Sequence, residues 1–529
     1  MMGRDSGQKS IFDASPVFQH KIEPGSIYHL LHQLGDKCLS DEDFREMYSS
    51  DRGRPSIPPS FMAKVLLLQR HDDVSDREAV QRMLFDLRWQ YALGLSLDYQ
   101  GFAHSNLNHF RSRLIIHNLE RVPFEKLNAL AVQVGVLKPK AKKAVDSSHI
   151  FGAAAVQDTY NLLRSSLRKL LLKLMSEEPE LGEEFIEEHG LQRYTSAEKP
   201  DIDWTSAEAR SEWLRITVMN ARQVLSALDG SELATGEVRD AAALLSDILQ
   251  QDITDPDDDD DPKIKRAVAK DRIISTNDTE MRHGRKSSSK RFDGYKVHIV
   301  EDIDTELITE IEVTAGNVHD SEPLPAMLQR QKERLGDAPD TLVGDSHYGT
   351  ADNRVALREM DVEVVARLPK GTHVNGRFAK TDFIIGEDSA TCPAGHTTQK
   401  MHQVRDHKNR RVKKFQFPAR VCKECEKRKL CTTAKSGRSI TLHYHQDLIE
   451  EIRQYNQTEG FRKIYNQRAI VERKLSELLW RHRLRFGRYI GKTKTQLQAT
   501  WTATVANLKR LSKLVPEMFG IPQRRVQET

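Results

Sequence analysis

Hydrophobic positions between about residues 27 and 114 recur at the three- and four-residue spacing of helices. The segment 60–68 predicts one helix, and Ser75 and Glu78 fit the first and last positions of a capping box that opens the next. The residues 71–74 between them are short enough for a helix-turn-helix arrangement, and a plain helical bundle fits the pattern equally well. The pattern therefore predicts an N-terminal helical domain.

Strand-like patterns begin after residue 142. The short apolar run 143–146 predicts one strand, 295–300 alternates apolar and polar residues, 307–313 fits its hairpin partner, and 341–345 is a further run. Because helical segments lie between these strands, the pattern indicates an α/β core.

Two long segments interrupt this core. The first is helical, runs from about 160 to 250, carries acidic clusters such as Glu183, Glu184, Glu187 and Glu188, and ends in the proline-flanked aspartate run 255–262. A run of like charges cannot pack, so we expect a solvated linker there. The second, from about 371 to 437, is basic and rich in cysteine, and the last 90 or so residues again have a helical pattern.

Composition adds limits to this picture. Of the 529 residues, 38% are hydrophobic and 30% charged, which is typical of a globular chain, and no apolar stretch is long enough to span a bilayer. The polar start has no secretory pattern, so we expect a soluble protein of the cytoplasm with reduced thiols. The net charge of +4 decides nothing by itself.

Positive charge is concentrated in two segments. Residues 400–430 hold twelve Lys and Arg against three Asp and Glu, and residues 462–492 hold ten against two. Such clustering predicts phosphate contacts and salt-sensitive binding of nucleic acid, and solvated charged faces are the alternative.

Four of the five cysteines, Cys392, Cys422, Cys425 and Cys431, lie in the basic block. Four thiols are enough for one tetrahedral structural Zn²⁺, and free cysteines in a small basic module are the alternative.

Three carboxylates are the candidates for catalysis. Asp146 and Asp345 each stand at the end of a predicted strand, where carboxylates of neighbouring strands can converge and share a hard cation such as Mg²⁺. Each could instead cap the following helix. Glu472 would share a helical face with Tyr465 and Arg468, although an ordinary Arg468–Glu472 surface pair explains that spacing as well.

These features, in this order, resemble the DDE-class insertion-sequence transposases of bacteria, in the group whose catalytic helix carries a Tyr-x2-Arg-x3-Glu-x6-Lys signature. The resemblance covers most of the chain, and its matching segments are 52–56, the strand of Asp146, 294–298, 316–321, 344–349 and 465–472. Several ordered matches are more specific than any one of them.

The resemblance implies an α/β fold with an RNase H-like mixed-sheet core, and it implies that Asp146, Asp345 and Glu472 hold two Mg²⁺ or Mn²⁺ ions. Tyr465 and Arg468 correspond to the signature tyrosine and arginine. Leu479 stands where the signature has lysine, so Lys474 or Arg481 would contact phosphate in its place.

The implied activity is metal-dependent cleavage at transposon ends and transfer of the 3′-hydroxyl to target DNA. The implied partner is double-stranded DNA, bound by at least a homodimer because two ends are processed. The alternatives are a stand-alone metal-dependent endonuclease and a domesticated DNA-binding protein that no longer cuts.

Further basic side chains are candidates for DNA contact. Arg481, Arg483 and Arg485, interleaved with aromatic residues, could grip the backbone, or the aromatic residues could simply anchor the helix. Lys296 and His298 lie on one face of their strand and could touch phosphate, whereas exposed polar residues on a half-buried strand are the more common explanation.

The predicted organisation comprises an N-terminal helical DNA-binding domain, a core in two parts, an acidic helical insertion with its linker, a basic cysteine-rich insertion and a C-terminal segment with the catalytic helix. The helical domain spans residues 1–135, and the two parts of the core span 136–159 and 266–370. The acidic insertion with its linker spans 160–265, the cysteine-rich insertion 371–440 and the C-terminal segment 441–529.

Overall fold

The computed structural model describes residues 1–3, 13–49, 53–198, 200–254, 261–287, 289–368 and 376–522. The fold is mixed α/β, with a helical N-terminal region and a curled mixed sheet. Arg52 and most of the predicted linker, 255–260, lie outside the described residues.

The α-helices are α1 Ala14–Phe18, α2 Ile27–Cys38, α3 Pro59–Asp72, α4 Asp76–Phe85, α5 Leu87–Leu93, α6 Ser105–Ile116, α7 Val122–Gln133, α8 Thr159–Glu177, α9 Pro179–Glu188, α10 Gln192–Thr195, α11 Ala207–Leu228, α12 Gly236–Asp252, α13 Leu324–Leu335, α14 Ala351–Arg358, α15 Ala419–Glu424, α16 Gln446–Tyr455, α17 Glu459–Tyr465, α18 Ala469–Ser476 and α19 Lys492–Leu514. The β-strands are β1 Lys143–Phe151, β2 Arg282–Arg285, β3 Arg291–Asp302, β4 Ile308–Ala315, β5 Thr341–Val343, β6 Glu363–Val365, β7 Ile384–Ile385, β8 Ala390–Thr391, β9 Thr397–Thr398, β10 Met401–Arg405, β11 Arg411–Gln416 and β12 Ser439–Thr441.

The helix pair α3–α4 begins and ends as the sequence predicts. Asp73 adopts a left-handed conformation (φ 56°) that ends α3, and the Ser75 hydroxyl caps α4 by accepting the Glu78 N–H at 3.1 Å. The buried carboxylate of Asp72 then joins neighbouring helices, because it accepts hydrogen bonds from Tyr28 at 2.9 Å and Trp89 at 2.8 Å.

The C-terminal helix α19 completes the core of this N-terminal region. Its buried residues Leu497, Trp501 and Val505 belong to the same hydrophobic cluster as the side chains of α2, α3 and α7. The Trp501 indole donates to the Glu120 carbonyl at 2.9 Å, which fixes the helix against the turn before α7.

The central sheet has the order β4–β3–β1–β5–β6, and β2 pairs with the beginning of β3. Strands β1 and β3 are antiparallel over nine residue pairs, whereas β1, β5 and β6 are parallel. Gly294 (φ 140°) permits the close approach of β3 to β1, because a Cβ there would lie 2.4 Å from the Ile150 carbonyl oxygen. The predicted hairpin of the 295–300 and 307–313 runs is confirmed as β3–β4.

Helices α8 to α12 pack around a hydrophobic cluster of their own, between β1 and β2 in the chain. The buried Asp252 at the end of α12 joins the ends of this segment, because it accepts hydrogen bonds from Thr159 at 2.8 Å and from Arg272 at 2.6 Å. A small group of short strands, β7 to β12, lies between β6 and α16 in the chain and packs around Phe383, Phe415 and Phe417.

The described helices include some of more than 18 residues, such as α11 and α19. Each carries too many polar and charged side chains, and none of the helices that the structure describes could cross a membrane.

Candidate active site

The sheet brings Asp146 and Asp345 to one groove. Asp146 lies on β1, opposite Ile299 of β3, and Asp345 follows β5, the parallel neighbour of β1. The two carboxylates, together with Lys296 and Asp320, line a groove of about 380 Å³. The predicted strand end at Asp146 is wrong, because β1 continues to Phe151 beside β3. Asp146 and Asp345 nevertheless lie level with each other, since each follows by two residues the last pair of the parallel β1–β5 ladder, Ala144 and Val343.

His347 holds the carboxylate of Asp345 in place. The His347 N–H donates to one Asp345 oxygen at 2.8 Å, and the ring Nδ1 lies 3.1 Å from the other. Burial alone would raise the pKa of Asp345, but these hydrogen bonds and the imidazole charge hold it below its usual value. The same hydrogen bond raises the pKa of His347.

Glu472 reaches the site through Arg468. The predicted single helix is in fact α17, a 3₁₀ turn over Asn466–Arg468 and then α18. The signature residues nevertheless stay together: the Arg468 guanidinium lies 5.8 Å from the centre of the Tyr465 ring and 2.5 Å from a Glu472 oxygen. It also approaches Asp146 at 3.8 Å, so one cation bridges two of the three candidate carboxylates.

Asp146 carries the strongest electrostatic signal of the three. Burial raises its pKa to about 7, and the negative charges of Asp345 and Glu472 act in the same direction. The Ser147 N–H and Arg468 oppose this shift. The Asp146 carboxyl is crowded by other carboxyls, and one arginine balances only part of their negative charge. A bound cation would reduce this repulsion.

No ready-made metal site is assembled in the part of the chain that the structure describes: no three His, Cys, Asp or Glu side chains there are grouped to hold an ion. Glu472 is half-exposed and bonded to Arg468, and it does not line the groove.

Two polar residues of β3 have different surroundings. Lys296 faces the groove, where its ammonium donates to Asp320 and to the Val318 carbonyl, both at 2.8 Å. His298 is fully buried between the Tyr348 and Thr314 hydroxyls, and burial lowers its pKa to about 4. The expected phosphate contact of His298 is therefore corrected: its ring has no exposed surface, because Tyr348 and Thr314 enclose it.

The basic residues near α18 also divide by exposure. Lys474 is 5% exposed and pairs with Glu477 at 2.9 Å, and Leu479 is buried in a π-helical turn, Glu477–Arg481. Arg485 is 7% exposed and donates to the His149 carbonyl at 2.8 Å. The expected DNA contacts of Lys474 and Arg485 are therefore corrected, because both side chains are buried and bonded to partners within the protein.

Arg481 and Arg483 remain on the surface, where Arg483 lies 3.2 Å from Asp73. Several groove residues were missed from the sequence, among them His347, which holds Asp345, Asp320, which fixes Lys296, and Arg285, which lines the groove from the end of β2. Asp320 lies in the segment 316–321 that matches the transposase family, so the sequence could have indicated it. No sequence pattern pointed to Arg285.

The four cysteines of the basic block converge. All of them line a cavity of only about 20 Å³, walled by Phe378 and Phe417. Burial raises the pKa of the Cys431 thiol, while the Arg438 charge opposes that shift, and the Arg438 N–H donates to the Cys422 sulfur at 3.4 Å. A cavity of this size holds one water-sized particle.

Two segments of the chain match known families. Residues 16–113 match the family model described as a transposase domain (DUF772), and residues 391–512 match the transposase DDE domain. The second match includes Glu472 and the cysteines but neither Asp146 nor Asp345. Comparison with curated proteins finds no matching sequence.

Proposed function

Because this chain belongs to the DDE insertion-sequence transposases, as its two transposase domains support, we propose that it cuts DNA at the ends of a transposable element and joins the freed 3′-hydroxyl to target DNA. The observation that carries the proposal is the groove in which parallel strands bring Asp146 and Asp345 together, with Arg468 linking Asp146 to Glu472.

The core that we infer is RNase H-like. Its support is the path β4–β3–β1–β5–β6, in which β3 alone runs antiparallel to the β1, β5 and β6 set and to β4. The first aspartate then lies on the central strand and the second follows its parallel neighbour. The glutamate comes from a helix that packs beside β1.

Asp146, Asp345 and Glu472 would hold two divalent ions, Mg²⁺ or Mn²⁺. Carboxylate oxygens are the donors that these hard cations prefer, and the raised pKa of Asp146 fits a place where positive charge is lacking. When bound, such ions activate the attacking oxygen and stabilise the leaving one during in-line displacement at phosphorus.

The protein's own side chains have separate tasks in this scheme. Arg468 holds Glu472 beside Asp146, and His347 orients Asp345. Lys296 places a fixed cation in the groove, where a DNA phosphate could take the place of Asp320 as its partner. Arg481, which is exposed on the same C-terminal segment, supplies a phosphate contact near the position of Leu479.

The substrate that we propose is double-stranded DNA, at the element's ends and at the target, bound by at least two copies of the chain. Two ends must be cut and joined together, and one groove serves one end at a time.

We further propose that the cysteine cluster holds one structural Zn²⁺ through Cys392, Cys422, Cys425 and Cys431. The type of donor fits, since four thiols line one cavity for a single particle. The thiols are not grouped closely enough to hold an ion as they stand, so they would have to draw together around the bound Zn²⁺. The N–H from Arg438 to sulfur is the kind of outer contact that stabilises a thiolate.

The test is a cleavage and strand-transfer assay with Mg²⁺ on duplex DNA that bears the element's ends. Asp146→Asn, Asp345→Asn and Glu472→Gln should each abolish both steps, whereas Asp304→Asn, an exposed aspartate in the turn after β3, should keep both. Unchanged cleavage in any of the three variants would remove that residue from the site. Cleavage without joining would identify a nuclease, and DNA binding without cleavage by the wild type would identify a non-cutting DNA-binding protein.

A further inference from the structure

The inserted helical segment carries a basic groove that its overall acidity conceals. One wall is α8, which has no Asp or Glu from Thr159 to Ser176 and presents Arg164, Arg168, Lys169 and Lys173 along one side. The other wall is the loop of Thr276 and Asn277, before β2. Together they enclose an open groove of about 540 Å³.

Most of this positive charge has no acidic partner. Arg164 and Arg168 donate to main-chain carbonyls, among them that of Ser196 at 3.0 and 3.1 Å, and Lys169 donates to the Thr276 carbonyl at 3.2 Å. Only Lys173 of these four has an ion pair, with Glu237, among the described residues. Burial and the neighbouring Arg168 charge lower the pKa of Arg164, as expected for crowded cations.

The groove is tied firmly to the catalytic core. Gln157, just beyond β1, accepts the Thr276 N–H at 2.7 Å, and Asp278 accepts the Tyr295 hydroxyl at 2.6 Å. The chain from Asn277 then runs through β2 to Arg285, which lines the carboxylate groove. Eight residues of extended chain span at most about 28 Å, which is less than one helical turn of duplex DNA, about 34 Å.

We propose that this basic groove binds the phosphate backbone of the same DNA duplex that the carboxylate groove cuts, within one helical turn of the cut. The inference rests on the proposed function. Its occupant follows from charge: Arg164 and Lys173 lie about 14 Å apart along α8, a length over which a duplex presents roughly eight negative charges. Among the described residues that line the groove, none is one of the aromatic anchors that a protein partner would need, and four are cations.

The experiment measures binding of the full chain to a duplex bearing the element's end, by fluorescence anisotropy over about 50 to 200 mM salt. In Arg168→Gln/Lys169→Gln, loss of about two phosphate contacts should lower affinity roughly tenfold and flatten the slope of log K against log salt by about 2. The matched control is Arg222→Gln/Arg239→Gln, which removes the same charge from α11 and α12 outside the groove. Phosphate-ethylation interference should lose a patch of interfering phosphates within one turn of the cut only in the groove variant.

Equal slopes for the wild type and the groove variant would overturn the proposal, and so would an equal loss in the control. Competition by polyglutamate that depends on Arg168 and Lys169, with an unchanged DNA slope, would instead assign the groove to an acidic protein and also overturn it. Cleavage of a short duplex that ends before the groove distinguishes failure of the groove inference from failure of the proposed active site. If the wild type cuts it and the slopes are equal, the groove inference alone fails; if Asp345→Asn still cuts it, the proposed active site fails.

Discussion

The carboxylate groove and the cysteine cluster are both candidate metal sites, but they are built in opposite ways. The cysteines lie within 40 residues of one another and surround a cavity of about 20 Å³. Asp146 and Glu472 stand more than 300 residues apart and meet through Arg468 beside a groove of about 380 Å³.

The difference follows from what each site has to do. A structural metal site is closed and its ligands serve only the fold, whereas a catalytic site must stay open to substrate. In the open site Arg468 and His347 balance part of the negative charge. The raised pKa of Asp146 indicates that its ionised carboxylate costs stability, whereas the lowered pKa of Asp345 indicates that its carboxylate adds to stability.

The largest effect is expected at Asp146. Asp146→Asn should lower the rate of cleavage by about a thousandfold or more, because a lost ligand removes several kcal/mol of transition-state stabilisation. Thermal unfolding should show an unchanged or higher Tm, since the variant removes a buried carboxyl crowded by Asp345 and Glu472. A clear fall in Tm would show that this carboxylate supports the fold, and the contrast would fail.

Cys431→Ser should have the opposite profile. We expect loss of one bound zinc per chain, measured with a colorimetric chelator, and a loss of about 4 kcal/mol or more in the stability of the cysteine block. Cys38→Ala is the control, because that buried cysteine stands apart from the cluster and should leave the zinc content unchanged. Zinc content that is zero in the wild type would contradict the proposed ligand set.

Glu301 gives a buried carboxyl that serves neither site. Its side chain is fully buried on β3, its oxygens have no hydrogen-bond partner among the described residues, and burial raises its pKa to about 8. The folded chain thus keeps a proton that the unfolded chain gives up near pH 4.5. The contribution of the protonated Glu301 to the free energy of unfolding is therefore complete below pH 4.5 and is lost as the pH rises through about 8.

Stability measured by denaturant unfolding should accordingly fall by about 2–4 kcal/mol between pH 5 and pH 9 at this group. Glu301→Gln should flatten the decline, and Glu359→Gln, an exposed glutamate at the end of α14, should leave it as in the wild type. An unaltered pH profile in Glu301→Gln would mean that the carboxyl is ionised in the folded chain.

The smallest effect separates Arg481 from Lys474. Arg481→Gln should weaken DNA binding about threefold and reduce the salt slope by about 1, because it removes one exposed phosphate contact. Lys474→Gln should keep the slope and lower the Tm, because it leaves Glu477 without its 2.9 Å partner in a buried setting. The reverse pattern would return Lys474 to the DNA-binding surface.

Local patterns predicted much of the frame. The capping residues Ser75 and Glu78 mark the start of α4, and the alternating runs give the β3–β4 hairpin, because both signals depend on neighbours in the chain. The position of Asp345 after β5 could also be predicted, whereas Asp146 lies inside β1, because pairing with β3 extends that strand to Phe151.

Burial of individual polar residues could not be predicted in the same way. Alternation places Lys296 and His298 on one face of β3 but does not show that Tyr348, from the segment after β5, covers His298, so it gave no warning that His298 is buried. Likewise, helical spacing shows which side of a helix is apolar, but it does not show which element packs against that side. The basic side of α8 was hidden because the acidic residues of α9 dominate that segment's composition.

The position of α19 has a consequence for how the chain is made. Trp501 and Val505 fill the core of helices that the ribosome finishes some 370 residues earlier, so that core stays open on one side until the last part of the chain emerges. We therefore expect a fragment ending near residue 135 to expose this apolar face and to aggregate. Adding a separate 492–522 peptide should restore its solubility.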